Sequence, residues 1–234
     1  MYDREGRLRK AVTMKSVLED FLGKPIKDLS ILVAGGSTGI IDSYLADHAA
    51  SVISLDIDAE AIRFAAQSFK NPNLSFIVGD AMNIAFPDQQ FDIVICSQVY
   101  EHVPDANKLL TEIHRVLKPG GICYFAAGNR LNIMEPHYRL PFLSVLPKSL
   151  AHLYLRILGR GDHYYETHLS YWGLTRLVKK FRITDYSNLV IADPKRFATN
   201  YMVSPGSRKQ KLALLICKYF FWLLPGYIWI LQKP

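Results

Sequence analysis

The 234-residue chain is expected to fold as a doubly wound α/β domain around a mostly parallel sheet. Three observations point there. Short apolar runs bounded by Gly, Asp, Asn or Pro alternate with longer segments of helical period, which is the βαβα pattern of a parallel sheet with helices on both faces. The stretch "ILVAGGSTGI" (31–40) passes from four apolar residues straight into a glycine-rich turn, as a strand does when it hands over to a helix beside a ligand. Half of the residues are hydrophobic and 21% are charged, enough to bury one substantial core in a single domain, residues 1–234.

In chain order, a helix is expected over about residues 8–22. Strands follow at "SILVA" (30–34), "SVISL" (51–55), "LSFIV" (74–78), "FDIVIC" (91–96) and "GICYFA" (121–126). Between them lie the helical segments "TGIIDSYLADHA", "DAEAIRFAAQSF" and "DANKLLTEIHRVL". In the last, Leu109, Leu110, Ile113, Val116 and Leu117 share one helical face, and Asp105 suits an N-cap. "SYWGLTRLVKKF" (170–181) is a further helical stretch, and no internal repeat or low-complexity linker interrupts the chain.

Charge and cysteine usage exclude several classes. The N-terminal "MYDREGRLRKAVTMK" is charged without an apolar run, which argues against a secretory signal and for a cytoplasmic location. Cys96, Cys123 and Cys217 are widely spaced in apolar segments, so they read as small core residues rather than disulfides or zinc ligands. The net charge is +7. Residues 1–193 hold 21 basic and 21 acidic residues, whereas 194–234 hold seven basic residues and no acidic one. The excess therefore lies entirely in the tail, where it suits an anionic partner, phospholipid or nucleic acid.

Open parallel sheets bind ligands at the carboxyl ends of their strands. Those positions hold "GGSTG" after the first strand, Asp56 after the second, Gly79-Asp80-Ala81 after the third and Ser97-Gln98 after the fourth. Gly35 and Gly39 let the backbone turn tightly and approach a ligand. Asp56, 21 residues after Gly35, suits a carboxylate accepting ribose hydroxyls, and Asp80 is placed to accept from an adenine amino group.

The ordered set "LSFIVGDAMNIAFPDQQFDIVICSQVYEHVPDANKLLTEIHRVLKPGGICYF" resembles the core of class I S-adenosylmethionine-dependent methyltransferases, in their small-molecule (type 11-like) branch. The likeness covers about residues 28–127. It implies a Rossmann-like, seven-stranded, mostly parallel sheet, with S-adenosyl-L-methionine as methyl donor. It also implies a cofactor-binding set: Gly35, Gly36, Ser37 and Gly39 in the loop, Asp56 and Ile57 after strand two, Asp80 and Ala81 after strand three, and Ser97 after strand four. Two positions depart from the family's acid-x-Gly-x-Gly-x-Gly loop: Val33 stands at the acid and Ser37 at the middle glycine. A short-chain dehydrogenase has a similar loop, but its chemistry needs Tyr-x-x-x-Lys to supply a proton, and none of the 13 tyrosines has lysine four residues later.

Residues 129–169 follow strand five and are rich in aromatic and histidine residues, so they are expected to form a helical lid over the acceptor, carrying "PHYR" and "DHYYETH". His102 and His137 are the candidate general bases. Some quinone-pathway O-methyltransferases that resemble this stretch hold a divalent ion with acid-x-x-Glu-His; here the first acid is Gln98, so no metal is expected, and Glu101 and His102 are expected to hydrogen-bond locally.

The family fold would make "YIWIL" (227–231) a final strand, antiparallel to one near "RITDYSNLVI". The preceding 207–224 is apolar, aromatic and flanked by "RKQK", which suits a helix lying on an anionic membrane surface. Residues 212–231 approach the ~20-residue length of a membrane span, but Lys218 and Pro225-Gly226 interrupt it. The functional expectation is therefore methyl transfer, O-methylation in particular, onto a small or lipid-linked acceptor. The alternatives are a non-catalytic binding or scaffold protein of the same fold, suggested by Val33 and Ser37, and a nucleic-acid methyltransferase, disfavoured because the tail's aromatics sit in an apolar run.

Overall fold

The computed structural model describes residues 3–234. Its seven-stranded sheet has the order β3-β2-β1-β4-β5-β9-β8. The strands are β1 (Ser30–Ala34), β2 (Ser51–Asp56), β3 (Leu74–Val78), β4 (Phe91–Ser97), β5 (Leu117–Gly128), β8 (Arg182–Asp185) and β9 (Gly226–Gln232). The first five run parallel; β9 pairs antiparallel with both β5 and β8. The order reverses between β1 and β4, so the carboxyl ends of those two strands open a crevice.

Helices α1 (Arg4–Leu22), α2 (Ile40–Ala46) and α7 (Ser187–Ala192) pack on one face of the sheet. On the other face lie α4 (Ala106–Val116), α6 (Tyr171–Leu177) and α8 (Arg208–Tyr219). The strands alternate to serve both layers: Ile31 and Val33 join the first core, and Leu32 joins the second. Helix α3 (Ala59–Ser68) crosses between β2 and β3. Caps fix the helix starts, because an orphan amide left bare costs stability. The Asp105 side chain accepts from the N–H of Asn107 and of Lys108, Asp58 does the same at α3, and Asp3 starts α1 four residues earlier than its apolar pattern suggested. Cys96 and Cys123 are buried and unpaired, as expected of core residues.

Two expectations are corrected. Strand β5 begins at Leu117, directly after α4, because Leu117 pairs with Phe91 before a register shift. The predicted strand over "RITDYSNLVI" is strand only at 182–185; Asp185 then accepts the Ser187 N–H at 2.6 Å and turns the chain into α7. The 212–231 stretch is no continuous span, since it is split between α8, a short 3₁₀ turn (Phe221–Leu223) and β9 inside the sheet. Among the described residues no helix is long and apolar enough to cross a membrane.

The 129–169 insertion holds one helix, α5 (Lys148–Ile157), and a two-stranded ribbon of β6 (Met134–Glu135) and β7 (Leu140–Pro141). Leu140, Leu143, Ala151, Leu155 and Tyr164 give it a small core of its own. The buried Asn129 anchors its start, donating to the carbonyls of Trp222 and Leu224.

Candidate active site

A cleft of about 790 Å³ lies at the carboxyl ends of β1, β2, β3 and β4. Gly35, Gly36 and Ser37 line it from the loop after β1, Asp56 and Ile57 from β2, Asp80 and Ala81 from β3, and Ser97 from β4. Eight of the nine residues expected to meet the cofactor thus share one cavity. Gly39 does not. It caps α2 at φ +78, and a Cβ there would lie 2.8 Å from the Ala65 Cβ and 2.9 Å from the Phe76 ring, so its role is close packing.

The loop is built for close approach. Gly35 has φ +81, and Gly36 lies against Ser54 and Asp42 with no room for a side chain. The Asp56 carboxylate accepts the Ser37 N–H at 2.8 Å through one oxygen and the Asp58 N–H at 2.9 Å through the other. Each oxygen keeps a further lone-pair site, so Asp56 can brace the loop and still receive hydroxyl donors. Asp80 accepts the Met82 N–H at 2.8 Å, which holds the turn after β3.

Below the loop, Thr38, Asp42 and Ser54 are buried with side-chain oxygens that lack a hydrogen-bond partner. Burial raises the Asp42 carboxyl to about 7; the nearby Ser54 hydroxyl and the more distant Arg7 favour the ionised form, while Asp56 opposes it. The mouth is covered by α1, which contributes Asp3, Gly6, Arg7, Lys10 and Met14 to the lining. The helix expected over 8–22 gave no hint of this, since the position of a helix across a sheet edge is set by tertiary packing.

His102 lines the cleft, beside Gln98, Val99 and Val103. The insertion supplies none of the lining residues; it meets the cleft wall where the His137 ring stands edge-on to His102, centroids 4.9 Å apart. Behind that contact lies a dense polar basin. Glu135 accepts His137 Nδ1–H at 2.6 Å and the Tyr138 N–H at 2.7 Å, and Tyr164 Oη lies 3.0 Å from His168 Nδ1. Glu101 does not hydrogen-bond locally as expected: both its carboxylate oxygens are buried without partners, and burial lifts its pKa to about 7. The hydrogen bond that His137 donates to Glu135 raises the pKa of His137, while burial lowers that of His102 and takes His168 down to about 4. Glu135 was not legible as a site residue, because it is a lone acid in an apolar stretch until β6 turns it inward.

Comparison with known proteins decides what kind of cleft this is. The family described as "Methyltransferase domain" matches residues 32–125, which span β1 to β5 and every cleft-lining strand end. Over these residues the chain is similar to class I S-adenosylmethionine-dependent methyltransferases. S-adenosylmethionine is the methyl donor of such a domain. A phthiotriol/phenolphthiotriol dimycocerosates methyltransferase of Mycobacterium tuberculosis is 34% identical over 107 residues, 46% of this chain and 38% of that protein. A ubiquinone biosynthesis O-methyltransferase of Thiobacillus denitrificans is 27% identical over 160 residues, 67% of this chain and 65% of that protein. This chain thus aligns with less than half the length of the mycobacterial relatives. Among solved structures, an S-adenosylmethionine-dependent methyltransferase from Mesorhizobium loti shares the fold with a TM-score of 0.62 at 12% identity, covering 94% of this chain and 98% of that one.

Proposed function

We propose that the protein methylates an oxygen of a small or lipid-linked acceptor. The observation that carries this reading is the shared wall at His102: one side of it faces the cleft with the glycine loop and Asp56, and the other meets the Glu/His basin of the insertion. The donor supplies an electrophilic methyl on a sulfonium, and its transfer is an in-line displacement that depends on alignment and exclusion of water.

In this reading Gly35, Gly36 and Ser37 hold the donor close to the backbone, Asp56 and Ile57 hold its ribose, and Asp80 and Ala81 its adenine end. Ser97, at the end of β4, completes the donor's site. Val33 lines the cleft where relatives of this type carry an acid; Asp3, before α1, is a carboxylate on the same lining that can receive the donor's ammonium group, and Arg7 and Lys10 suit the donor's carboxylate. His102 receives the acceptor's proton, and His137, braced by Glu135, orients the His102 ring.

A peripheral site at the inner face of an anionic membrane accompanies this reading, because α8 exposes Leu212, Leu215 and Tyr219 between basic residues, and α5 exposes Leu150, Leu153 and Ile157 at the same spacing. Lipid-linked acceptors would reach the protein there.

Calorimetry with S-adenosylmethionine and S-adenosylhomocysteine tests the reading first, followed by transfer of labelled methyl into membrane lipid extracts. Label in the organic phase that becomes an acid-stable ether supports it. Absence of cofactor binding overturns it, and binding without turnover on any extract favours the scaffold alternative that Val33 suggests.

A further inference from the structure

We propose that Glu135, His137 and His168 form a binding site for a divalent transition-metal cation of the zinc, manganese or iron class. One donor atom from each of the three residues lies within 4.8 Å of the others. A tetrahedral ion with ligand bonds of 2.0–2.1 Å spaces its donors by about 3.4 Å, so small side-chain rotations close the set around a cation.

Glu135 and His137 are two residues apart, but only the fold brings His168 to them. Glu135 comes from β6, His137 from the turn that follows, and His168 from the extended segment before α6. Nδ1 of His137 and a carboxylate oxygen of Glu135 already adjoin at 2.6 Å, and His168 is oriented from behind: with its Nδ1–H donated to the Tyr164 hydroxyl, its Nε2 keeps a lone pair. Such outer contacts are what metal-binding histidines require.

The independent observation is a pair of buried carboxyl groups without partners beside the same basin. Glu101 is 1% exposed and Glu166 9%, yet both carboxylate oxygens of Glu101 and Oε2 of Glu166 lack any hydrogen-bond partner. Both acids act electrostatically on His137, and Thr167 donates its N–H to the Glu101 carbonyl at 2.8 Å, which ties the Glu101 turn to the segment that carries His168. Lys148, the nearest ammonium, is turned to the carbonyls of Tyr164, Tyr165 and Glu166 rather than to a carboxylate. Buried carboxylates without partners cost several kcal/mol each and are found paired or on a metal. A dication among them removes that cost. Two imidazoles and one carboxylate select a borderline ion over calcium or magnesium and leave coordination positions open.

The role of the ion, unlike its binding, rests on the methyl-transfer reading. The wall shared with His102 would let the acceptor hydroxyl occupy an open position. Its O–H bond breaks with the proton passing to His102, the new O–CH₃ bond forms as the donor's S–CH₃ bond breaks, and S-adenosylhomocysteine leaves as a neutral thioether.

The test is a Zn²⁺ and Co²⁺ titration of the intact, chelator-treated protein, read by calorimetry, by metal analysis after dialysis and by the visible spectrum of bound Co²⁺. The expected result is about one ion per chain and a raised thermal midpoint in Zn²⁺, with His168→Gln and the partly exposed His137→Gln each weakening binding by about tenfold or more. Failure to bind stoichiometrically at submillimolar Zn²⁺ overturns the site, as does unchanged affinity in both variants. Circular dichroism identifies a variant that has failed to fold, and the other then decides. S-adenosylmethionine affinity measured on the same preparation separates the two readings: donor binding without metal removes the metal site alone, and metal binding without donor removes methyl transfer alone.

Discussion

The backbone N–H of Ser37 is donated to a carboxylate oxygen of Asp56 at 2.8 Å, so the glycine loop after β1 is tied to the end of β2. One carboxylate thereby shapes the loop and faces the cofactor cleft. Asp56→Ala is expected to weaken S-adenosylmethionine binding by about 1.5 to 3 kcal/mol, the range for hydrogen bonds to a charged group. Asp56→Asn, which keeps one oxygen acceptor, should lose less. Calorimetry checks both, and unchanged affinity in Asp56→Ala would remove Asp56 from the site.

Gly36 fills a position that no other residue fits. A Cβ there would stand 1.9 Å from Ser54 Oγ and 2.8 Å from Asp42 Oδ1, both buried. Overpacking of this kind costs about 1–3 kcal/mol, which is the expected loss of stability for Gly36→Ala in urea unfolding. Ser54→Ala removes the nearer obstacle, so the double variant should recover part of that loss. Strict additivity of the two changes would show that the contact is not the cause.

Much of the sheet was legible because its signal is local. Each strand is a short apolar run with a polar stop, and "GGSTG", Asp56 and Asp80 are fixed by their place at strand ends, so β1 to β4 and eight cleft residues follow from the one-dimensional pattern. The losses are non-local. Nothing in "RLRKAVTMK" tells that Arg7 and Lys10 reach over the cleft, and the insertion reads as a cover although it supplies none of the lining and meets the cleft wall at His102. Glu135 and His168 are 33 residues apart and become neighbours only through the fold. Gly39 shows the converse: a glycine in a ligand-loop pattern is used to let the start of α2 pack closely on α3 and β3.

Asp42 makes stability depend on pH in a direction opposite to an ordinary ion-paired acid. Burial raises its folded pKa to about 7 from 3.8, so between those values the folded state holds a proton that the unfolded chain releases. The stability this gives is full below the unfolded value and is lost as pH rises toward 7, up to about 4 kcal/mol. Asp56 adds to the shift, and Arg7 and Ser54 oppose it. Asp42→Asn keeps the shape without the charge. It should therefore stabilise the protein at pH 8 by about 2–3 kcal/mol more than it does at pH 5. Equal effects at the two pH values in urea unfolding would mean that Asp42 stays ionised in the fold.

Membrane attachment is expected to reside in α8. Leu212, Leu215 and Tyr219 are 58%, 52% and 59% exposed and fall on one helical stripe, with Arg208, Lys211 and Lys218 beside them. The neighbouring aromatics are less suited: Phe221 packs on Tyr171 and Tyr227 at 5.5 Å, and Trp222 on Trp172 at 5.6 Å, so changing them would disturb the fold. Basic residues near an anionic leaflet contribute about 1 kcal/mol each, and the apolar stripe adds insertion. Salt separates the two, because the Debye length falls from ~10 Å at 0.1 M to ~3 Å at 1 M while apolar insertion is not screened. The protein should sediment with phosphatidylglycerol-containing vesicles at low salt, less at high salt, and be released by alkaline carbonate. The Leu212→Gln/Leu215→Gln/Tyr219→Ser variant should lose the salt-resistant fraction with its thermal midpoint intact. Lys211→Glu/Lys218→Glu should lose the salt-sensitive fraction instead. A wild-type protein that stays in the supernatant with these vesicles at low salt would exclude the membrane contact, and the acceptor would then have to arrive as a free small molecule.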